Sequence, residues 1–459
     1  MHIHILGVCG TFMAGVAKLA KELGFNVTGY DNNAYPPMST LLEELGVNIL
    51  PLDADALIGE VDLVIIGNAL SRGNKLVEYV LANNIPFTSG AAWLHDYVLQ
   101  DKWVLAVSGT HGKTTTSSML AWVLEYAGSE PGFLIGGLPL NFSTSARLGK
   151  NKFFVLEADE YDTAFFDKRS KFVHYHPKTL IINNLEFDHA DIFNNLDEIK
   201  KQFHHLIRTV PGNGKVITNA EDKNIKDLLQ MGLWSNNDTF GLHLGNYTAE
   251  KLNDAASNFT VYKKGDKIAE VSWNLIGEHN ILNALSVFVA AEHLTIKPEV
   301  VAKALVEFKT TARRLELKNT VNGIKIYDDF AHHPTAVKYT IDSLKLVEKG
   351  RVVAVIDLAS NTMCDGTHRE TILMVASRAD IAIILHRKNT DWDVLSQIKN
   401  SSYNNLYQAS SEQDVADILN SNKLKNSDSI VVMSNSAVNL LHTKLLDVCN
   451  MLSESIDTV

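Results

Sequence analysis

Val104–Thr116, VLAVSGTHGKTTT, runs an apolar strand into Gly109, Thr110, His111, Gly112, Lys113, Thr114 and Thr115 and then into a helical pattern. Two glycines let backbone N–H groups close on phosphate oxygens, the following helix aims its positive end at them, Lys113 adds a mobile charge, and the Thr114 hydroxyl can ligate Mg²⁺. The spacing is the short form GTxGKT; the longer form places a glycine where Val107 stands, so the general triphosphatase pattern is met only in part. A bare Gly-rich turn is the alternative, but lysine followed by three threonines is poor turn chemistry. The stretch therefore predicts a chain that handles ATP.

At 459 residues the chain is too long for one core and suggests about three domains. Its 46% hydrophobic and 21% charged residues are those of a soluble globular protein, with no apolar run near the ~20 residues a membrane span needs. MHIHILGVCG reads as a first strand rather than a signal peptide. Cys9, Cys364 and Cys449 are three in number and widely spaced, which gives neither a disulfide framework nor a zinc pattern and fits a reducing cytoplasm. A net charge of −11 argues against a broad nucleic-acid surface.

Strand-like and helical runs alternate throughout, predicting doubly wound α/β structure. The first block holds strands at His2–Gly7, Asn26–Tyr30 and Val61–Gly67 with a helix near Met13–Leu23. The second opens on the phosphate loop, carries buried-looking strands Phe153–Glu157 and Thr179–Asn183, and is interrupted by a polar, turn-rich insertion at about Ser235–Asp266. The third holds Ile324–Tyr327, Val352–Asp357, Ile381–Leu385 and Ser429–Met433, with a polar tail at about Ser453–Val459. We set the domains at 1–100, 101–312 and 313–459.

In the first block Gly7, Gly10 and Gly15 sit between strand and helix, and Asp31 ends the next strand, as a ribose-binding acid would. Cys9 stands where the dinucleotide fingerprint wants its second glycine, so a nucleotide diphosphate such as a UDP-sugar is favoured over NAD, with a ligand-free packed turn as the third reading. In the second block, FFVLEADEYD delivers Glu157, Asp159, Glu160 and Asp162 to a strand end, and TLIINNLEFDHADIF delivers Asn184, Asp188 and His189 to another. That edge of an α/β sheet is where ligands bind, and carboxylates beside a triphosphate suit Mg²⁺, although histidine is a less usual ligand for it. Asn280 and Asn283, three apart on the helix that His279 opens, share a face and could read a base edge. Arg313 and Arg314 in RRLE lie at the join to the third block, ahead of Asp328, Asp329, His332, His333 and Pro334 in DDFAHHP.

GTHGKTTT, EADE, NLEFDH, GEHNILNA, RRLE and DDFAHHP, in this order, resemble the Mur ligase family, which joins amino acids or peptides to UDP-linked muramyl precursors of the bacterial wall. The resemblance spans the whole chain and implies a three-domain architecture: a Rossmann-like N-terminal domain, a central P-loop ATPase domain and a Rossmann-like C-terminal domain. The HHP and EADE forms look like the branch that charges UDP-N-acetylmuramate itself. ILGVCGTFMAGVAKLAKELG, YPPMSTLLEELG, SRGN and SNTM look most like the recycling branch, which attaches the intact murein tripeptide L-Ala-γ-D-Glu-meso-diaminopimelate; addition of free L-alanine is the alternative.

The resemblance further implies roles. Lys113 and the loop amides hold the ATP phosphates; Thr114 and Glu157 ligate one Mg²⁺, and His189 with Glu157 a second. Asn280 and Asn283 read the adenosine, with Arg314 and Asp329 completing the nucleotide site. Gly10, Thr11, Phe12 and Met13 contact the uridine diphosphate, with Asp31, Asn68 and Ser71 nearby, and His333 contacts substrate. The lactyl carboxylate becomes an acyl phosphate, the peptide amine attacks, and His189 or Asp188 assists its deprotonation. The third domain swings over the second to exclude water. A cytoplasmic monomer or weak homodimer is expected. Two positions depart from the pattern: EIKKQFHHLIR offers no clear lysine for carbamylation, and Ala359 replaces the arginine expected before SNTM, which leaves Arg369, Arg378 or Arg387 to read a peptide carboxylate.

Overall fold

Short Val/Ile/Leu runs such as Thr179–Ile182 and Val352–Asp357 are buried along their whole length, as strands covered on both faces must be. The computed structural model describes residues 1–32, 34, 38–50 and 61–454. Residues 35–37 of the YPPMSTLLEELG motif and 455–459 of the expected tail lie outside these. Among the described residues no helix is long and apolar enough to cross a membrane.

The first sheet contains β1 (His2–Leu6), β2 (Asn26–Tyr30), β3 (Asn48–Ile49), β4 (Leu63–Ile66) and β5 (Phe87–Ser89), parallel in the order β3-β2-β1-β4-β5. Its helix Thr11–Glu22 follows the Gly10 turn. The second sheet is built around β6 (Trp103–Ser108). On one side lie β9 (Phe153–Glu157) and the pair β7 (Gly132–Leu134) and β8 (Ala146–Arg147). On the other lie β12 (Thr179–Ile182) and β13 (Lys215–Asn219), while β10 (Asp162–Ala164) and β11 (Asp167–Ser170) form a separate hairpin. The chain reverses direction across the sheet between β6 and β12, so the crevice beyond their C-terminal ends is the natural ligand position.

The segment Ser235–Asp266, expected as a polar insertion, instead extends this sheet. It forms β14 (Asn236–Phe240), β15 (Tyr247–Lys251) and β16 (Asn258–Lys263), followed by β17 (Asp266–Ser272). Phe259, Val261 and Val271 are buried, but most other residues of these strands are polar and at least partly exposed, so the segment looks like loop by composition. The third sheet, β18 (Glu316–Val321), β19 (Ile324–Asp329), β20 (Val352–Asp357), β21 (Ile381–Leu385), β22 (Leu406–Ala409) and β23 (Ser429–Met433), runs β18-β19-β23-β20-β21-β22 and is parallel except at β18.

The joints differ in kind. One apolar cluster runs from Ile3 and Val16 in the first unit to Val104, Leu134 and Phe203 in the second. Contact there is so close that a Cβ on Gly15 would lie 2.2 Å from Leu134 Cδ1. The third unit has its own cores and meets the second through polar groups. Arg314 Nη2 donates to Thr114 Oγ1 at 3.0 Å, Thr335 Oγ1 to Glu186 Oε2 at 2.6 Å and Asn361 Nδ2 to Asp191 Oδ2 at 3.0 Å. Arg313 and Leu315, on either side of Arg314, hold left-handed φ angles of 61° and 50°, which marks this short connection as the hinge.

In β1, His4 is buried with Nδ1 2.8 Å from Thr28 Oγ1 and Nε2 unpartnered, and burial pushes its pKa down to about 4. The unfolded chain takes up this proton near pH 6.5, so the neutral His4 supports the fold above that pH and the support drains away toward pH 4, up to roughly 3 kcal/mol. His4→Gln should flatten the loss of thermal stability between these pH values; an unchanged slope would refute the assignment.

Candidate active site

The phosphate loop takes its shape from two glycines. Gly109 has φ +129° and a Cβ there would lie 3.0 Å from the Asn184 carbonyl oxygen; Gly112 has φ +81° and a Cβ would lie 2.6 Å from Asn283 Oδ1. Asn184 clamps the loop from the end of β12, accepting from the His111 amide at 2.7 Å and donating to its carbonyl at 3.1 Å. The helix Lys113–Tyr126 then starts with Thr114, Thr115 and Thr116 buried. Thr116 Oγ1 accepts from Asn183 Nδ2 at 2.9 Å, and Asn183 Oδ1 remains buried without a partner.

Two acidic groups from β9 and the turn after it flank the loop. Glu157 accepts from Thr114 Oγ1 at 2.8 Å and from the Gly136 amide at 2.7 Å. Glu160, 2% exposed, takes Lys113 Nζ at 2.9 Å on one oxygen and lies 3.1 Å from His189 Nε2 on the other. Burial opposes charge on all three groups, but their mutual attraction prevails: Glu160 falls to about 2, Lys113 rises above its ordinary value and His189 rises to about 9. His189 has a left-handed φ of 57°, its amide donating to Asp188 at 2.7 Å, and its ring packs on Tyr161.

Lys113, Thr114, Glu157 and His189 line a cavity of about 880 Å³ between the second and third units, together with Asn280, Asn283, Arg314, Asp329 and His333. Asn280 and Asn283 are bonded to each other at 3.3 Å, beside the neutral His279 ring stacked on Tyr339. Asp329 is buried and raised in pKa by that burial; its oxygens accept from the Leu315 amide at 2.6 Å and the Ala331 amide at 2.7 Å, fixing the hinge rather than presenting a free carboxylate. A smaller adjoining pocket of about 120 Å³ is lined by Asp188, Asp191, Ala359, Ser360 and Asn361, with no lysine or arginine among its described residues.

In the first unit Gly10 precedes the helix that begins at Thr11, Met13 packs beside Gly67 and Gly90, and Asp31 accepts from the Cys9 amide at 2.8 Å. Asn68 and Ser71 lie in the turn after β4. Phe12 faces the catalytic side: Lys171 Nζ lies 5.4 Å from its ring and 4.0 Å from Asp159. The structure thus adds Glu160, Asn183 and Lys171 to the groups expected. Glu160 was visible as a member of the EADE cluster without a role, Asn183 as a neighbour of Asn184, and Lys171 sits in no motif.

Thr114 and Glu157 form the hard oxygen pair that Mg²⁺ requires, whereas His189 faces Glu160 and not Glu157. On the helix Leu196–Thr209, Lys200 is tied to Asp227 at 3.2 Å and Lys201 is exposed, so neither reaches the cluster. Of the arginines, Arg378 is bound to Asp342, Arg387 to Asp357 and Glu412, and Arg369 is exposed.

The chain belongs to the Mur ligase family: residues 2–102 match its catalytic domain, 107–291 its middle domain and 313–436 its glutamate ligase domain. It is 50% identical to the UDP-N-acetylmuramate--L-alanyl-gamma-D-glutamyl-meso-2,6-diaminoheptandioate ligase of Haemophilus influenzae over 97% of this chain and 98% of that protein. The Escherichia coli ligase of the same name matches at 50% with the same coverage. The crystal structure of a murein peptide ligase from Psychrobacter arcticus superimposes with a TM-score of 0.77 at 41% identity, covering 98% of this chain and 99% of that one.

Glu160→Gln should strand two buried cations and lower thermal stability by about 3 kcal/mol or more, as loss of one member of a buried charge cluster does. A melting curve superimposable on the wild type would show that Glu160 does not hold the cluster.

Proposed function

We propose that this chain is an ATP-dependent ligase that joins L-alanyl-γ-D-glutamyl-meso-diaminopimelate to the lactyl carboxylate of UDP-N-acetylmuramate, through an acyl phosphate, in peptidoglycan recycling. The observation that carries this is Lys113, Thr114 and Glu157 meeting at one loop between two platforms, in a chain half identical over nearly its full length to ligases of that name. We assign residues 1–100 to the UDP-sugar, 101–312 to ATP and 313–459 to the peptide, in a cytoplasmic monomer or weak homodimer.

Two like-charged partners, a carboxylate and a triphosphate, must approach each other, so catalysis here is mainly electrostatic and positional. Gly109, Thr110, His111, Gly112 and Thr115 shape the amide cradle, and Lys113 exchanges Glu160 for phosphate oxygens. Arg314 adds charge from the hinge, while Asn280 and Asn283 hold the adenosine and Asp329 holds the hinge that carries Arg314. Thr114 and Glu157 would hold Mg²⁺, and His189, once released from Glu160 and deprotonated, would reach a second ion; the metal would supply charge neutralisation between the phosphates and the acceptor carboxylate. Gly10, Thr11, Phe12 and Met13 receive the uridine diphosphate beside Asp31, Asn68 and Ser71. Lys171, lying against Phe12 and near Asp159, joins that platform to the reacting centre.

The acidic character of the smaller pocket suits an incoming ammonium. Asp188, held ionised by His189 against the cost of burial, and Asp191 would orient the peptide amine. His189 already carries a proton at neutral pH in this state, so Asp188 is the better of the two as the group that faces the amine. His333, at the start of the helix Pro334–Val347, approaches from the third unit.

Lys113→Ala should lower ligation at least about a hundredfold while leaving UDP-sugar binding intact; retained turnover would refute the role. Phosphate release measured with ATP, UDP-N-acetylmuramate and either tripeptide or free L-alanine decides the acceptor. The tripeptide should support turnover and alanine should not; the reverse result would make this the alanine-adding enzyme.

A further inference from the structure

At the joint of the second and third units, Glu186 has no part in the scheme above, and the rings of His111 and His333 converge on it. His111 Nε2 lies 3.4 Å from Glu186 Oε2, and His333 Nδ1 lies 3.8 Å from the same oxygen, all three groups offering ligand atoms within 4.8 Å of one another. Tetrahedral coordination of Zn²⁺ by nitrogen and oxygen at ~2.0–2.1 Å sets neighbouring ligand atoms about 3.4 Å apart. The cluster is therefore already close to a chelating arrangement.

Beyond these approaches, the hydrogen bonds of the His333 and Glu186 side chains run to Thr335. The His111 main chain is bound to Asn184, but its ring stands at the variable position of the phosphate-loop motif, where the cradle itself makes no demand. His333 is 6% exposed; Nε2 has no partner, and Nδ1 accepts a long 3.3 Å bond from the Thr335 amide. A third imidazole, His368, packs 4.7 Å from His333 and also keeps a buried, unpartnered Nε2. Glu186 accepts from Thr335 Oγ1 at 2.6 Å, the kind of outer hydrogen bond that orients a ligating carboxylate.

We propose that His111, Glu186 and His333 form a binding site for a borderline transition metal such as Zn²⁺, bridging the phosphate loop to the third unit. Two imidazoles and one carboxylate are a nitrogen-rich set, suited to Zn²⁺ or Co²⁺ and poor for Mg²⁺, which keeps to oxygen. A carboxylate binds such an ion in its ionised form and an imidazole in its neutral form. Glu186 keeps 37% of its side chain exposed, which leaves water a path to complete the coordination. Because His333 comes from the third unit, the ion would pin the two units in the arrangement seen here and slow turnover.

Titration of the full-length protein with Co²⁺, without nucleotide or sugar, tests the site apart from the ligase reading. One equivalent should bind with the intense ligand-field absorption of a four-coordinate ion. Zn²⁺ should quench that absorption, and millimolar Mg²⁺ should not. Glu186→Gln should abolish the signal, and Thr335→Ala, which keeps every ligand, should weaken binding about tenfold or more. Glu157→Gln, in the oxygen site, should leave it unchanged. Absence of the absorption in the wild type, displacement by Mg²⁺, or loss with Glu157→Gln in place of Glu186→Gln would overturn the proposal.

Discussion

A single buried carboxylate, Glu160, holds together two cations that would otherwise repel: the phosphate-loop lysine and the histidine at the end of β12. Neither cation could stay in so enclosed a place alone, because the cost of removing an ion from water exceeds what packing returns. Glu160 thus occupies the position that an anionic ligand would later share, and the loop is shaped before any nucleotide arrives. The glycines of the loop and the asparagines of β12 serve the same end by fixing the amides.

The joints between units follow from the work each must do. The first two share an apolar core, so the first unit and the phosphate loop keep a constant relation. The third touches the second through arginine, threonine and asparagine side chains, whose hydrogen bonds can be exchanged for bonds to water at little net cost. Precision lies in one joint and mobility in the other.

Most of the fold could be read from the sequence, because buried parallel strands carry a strong apolar signal: β9, β20, β21 and β23 fall where the runs Phe153–Glu157, Val352–Asp357, Ile381–Leu385 and Ser429–Met433 predict them. The strands β14–β17 escaped because their few buried positions stand among residues as polar as those of a loop. At the site, the glycines, Lys113, Thr114 and Glu157 were legible because phosphate chemistry restricts residue type and spacing together. Glu160 stood in view without its role, since a carboxylate three residues beyond another shows nothing of which one turns toward the lysine. Lys171 carried no signal at all: its place over Phe12 exists only after two distant segments have packed.

Arg314 sits between the two left-handed residues of the connection and reaches the threonine that opens the catalytic helix. Rotation about that connection turns the backbone that carries the guanidinium, so its bond to Thr114 changes as the third unit swings. Opening the molecule and withdrawing positive potential from spent nucleotide are accordingly one mechanical event, so the enzyme loosens its grip on product by the same movement that gives the product a way out.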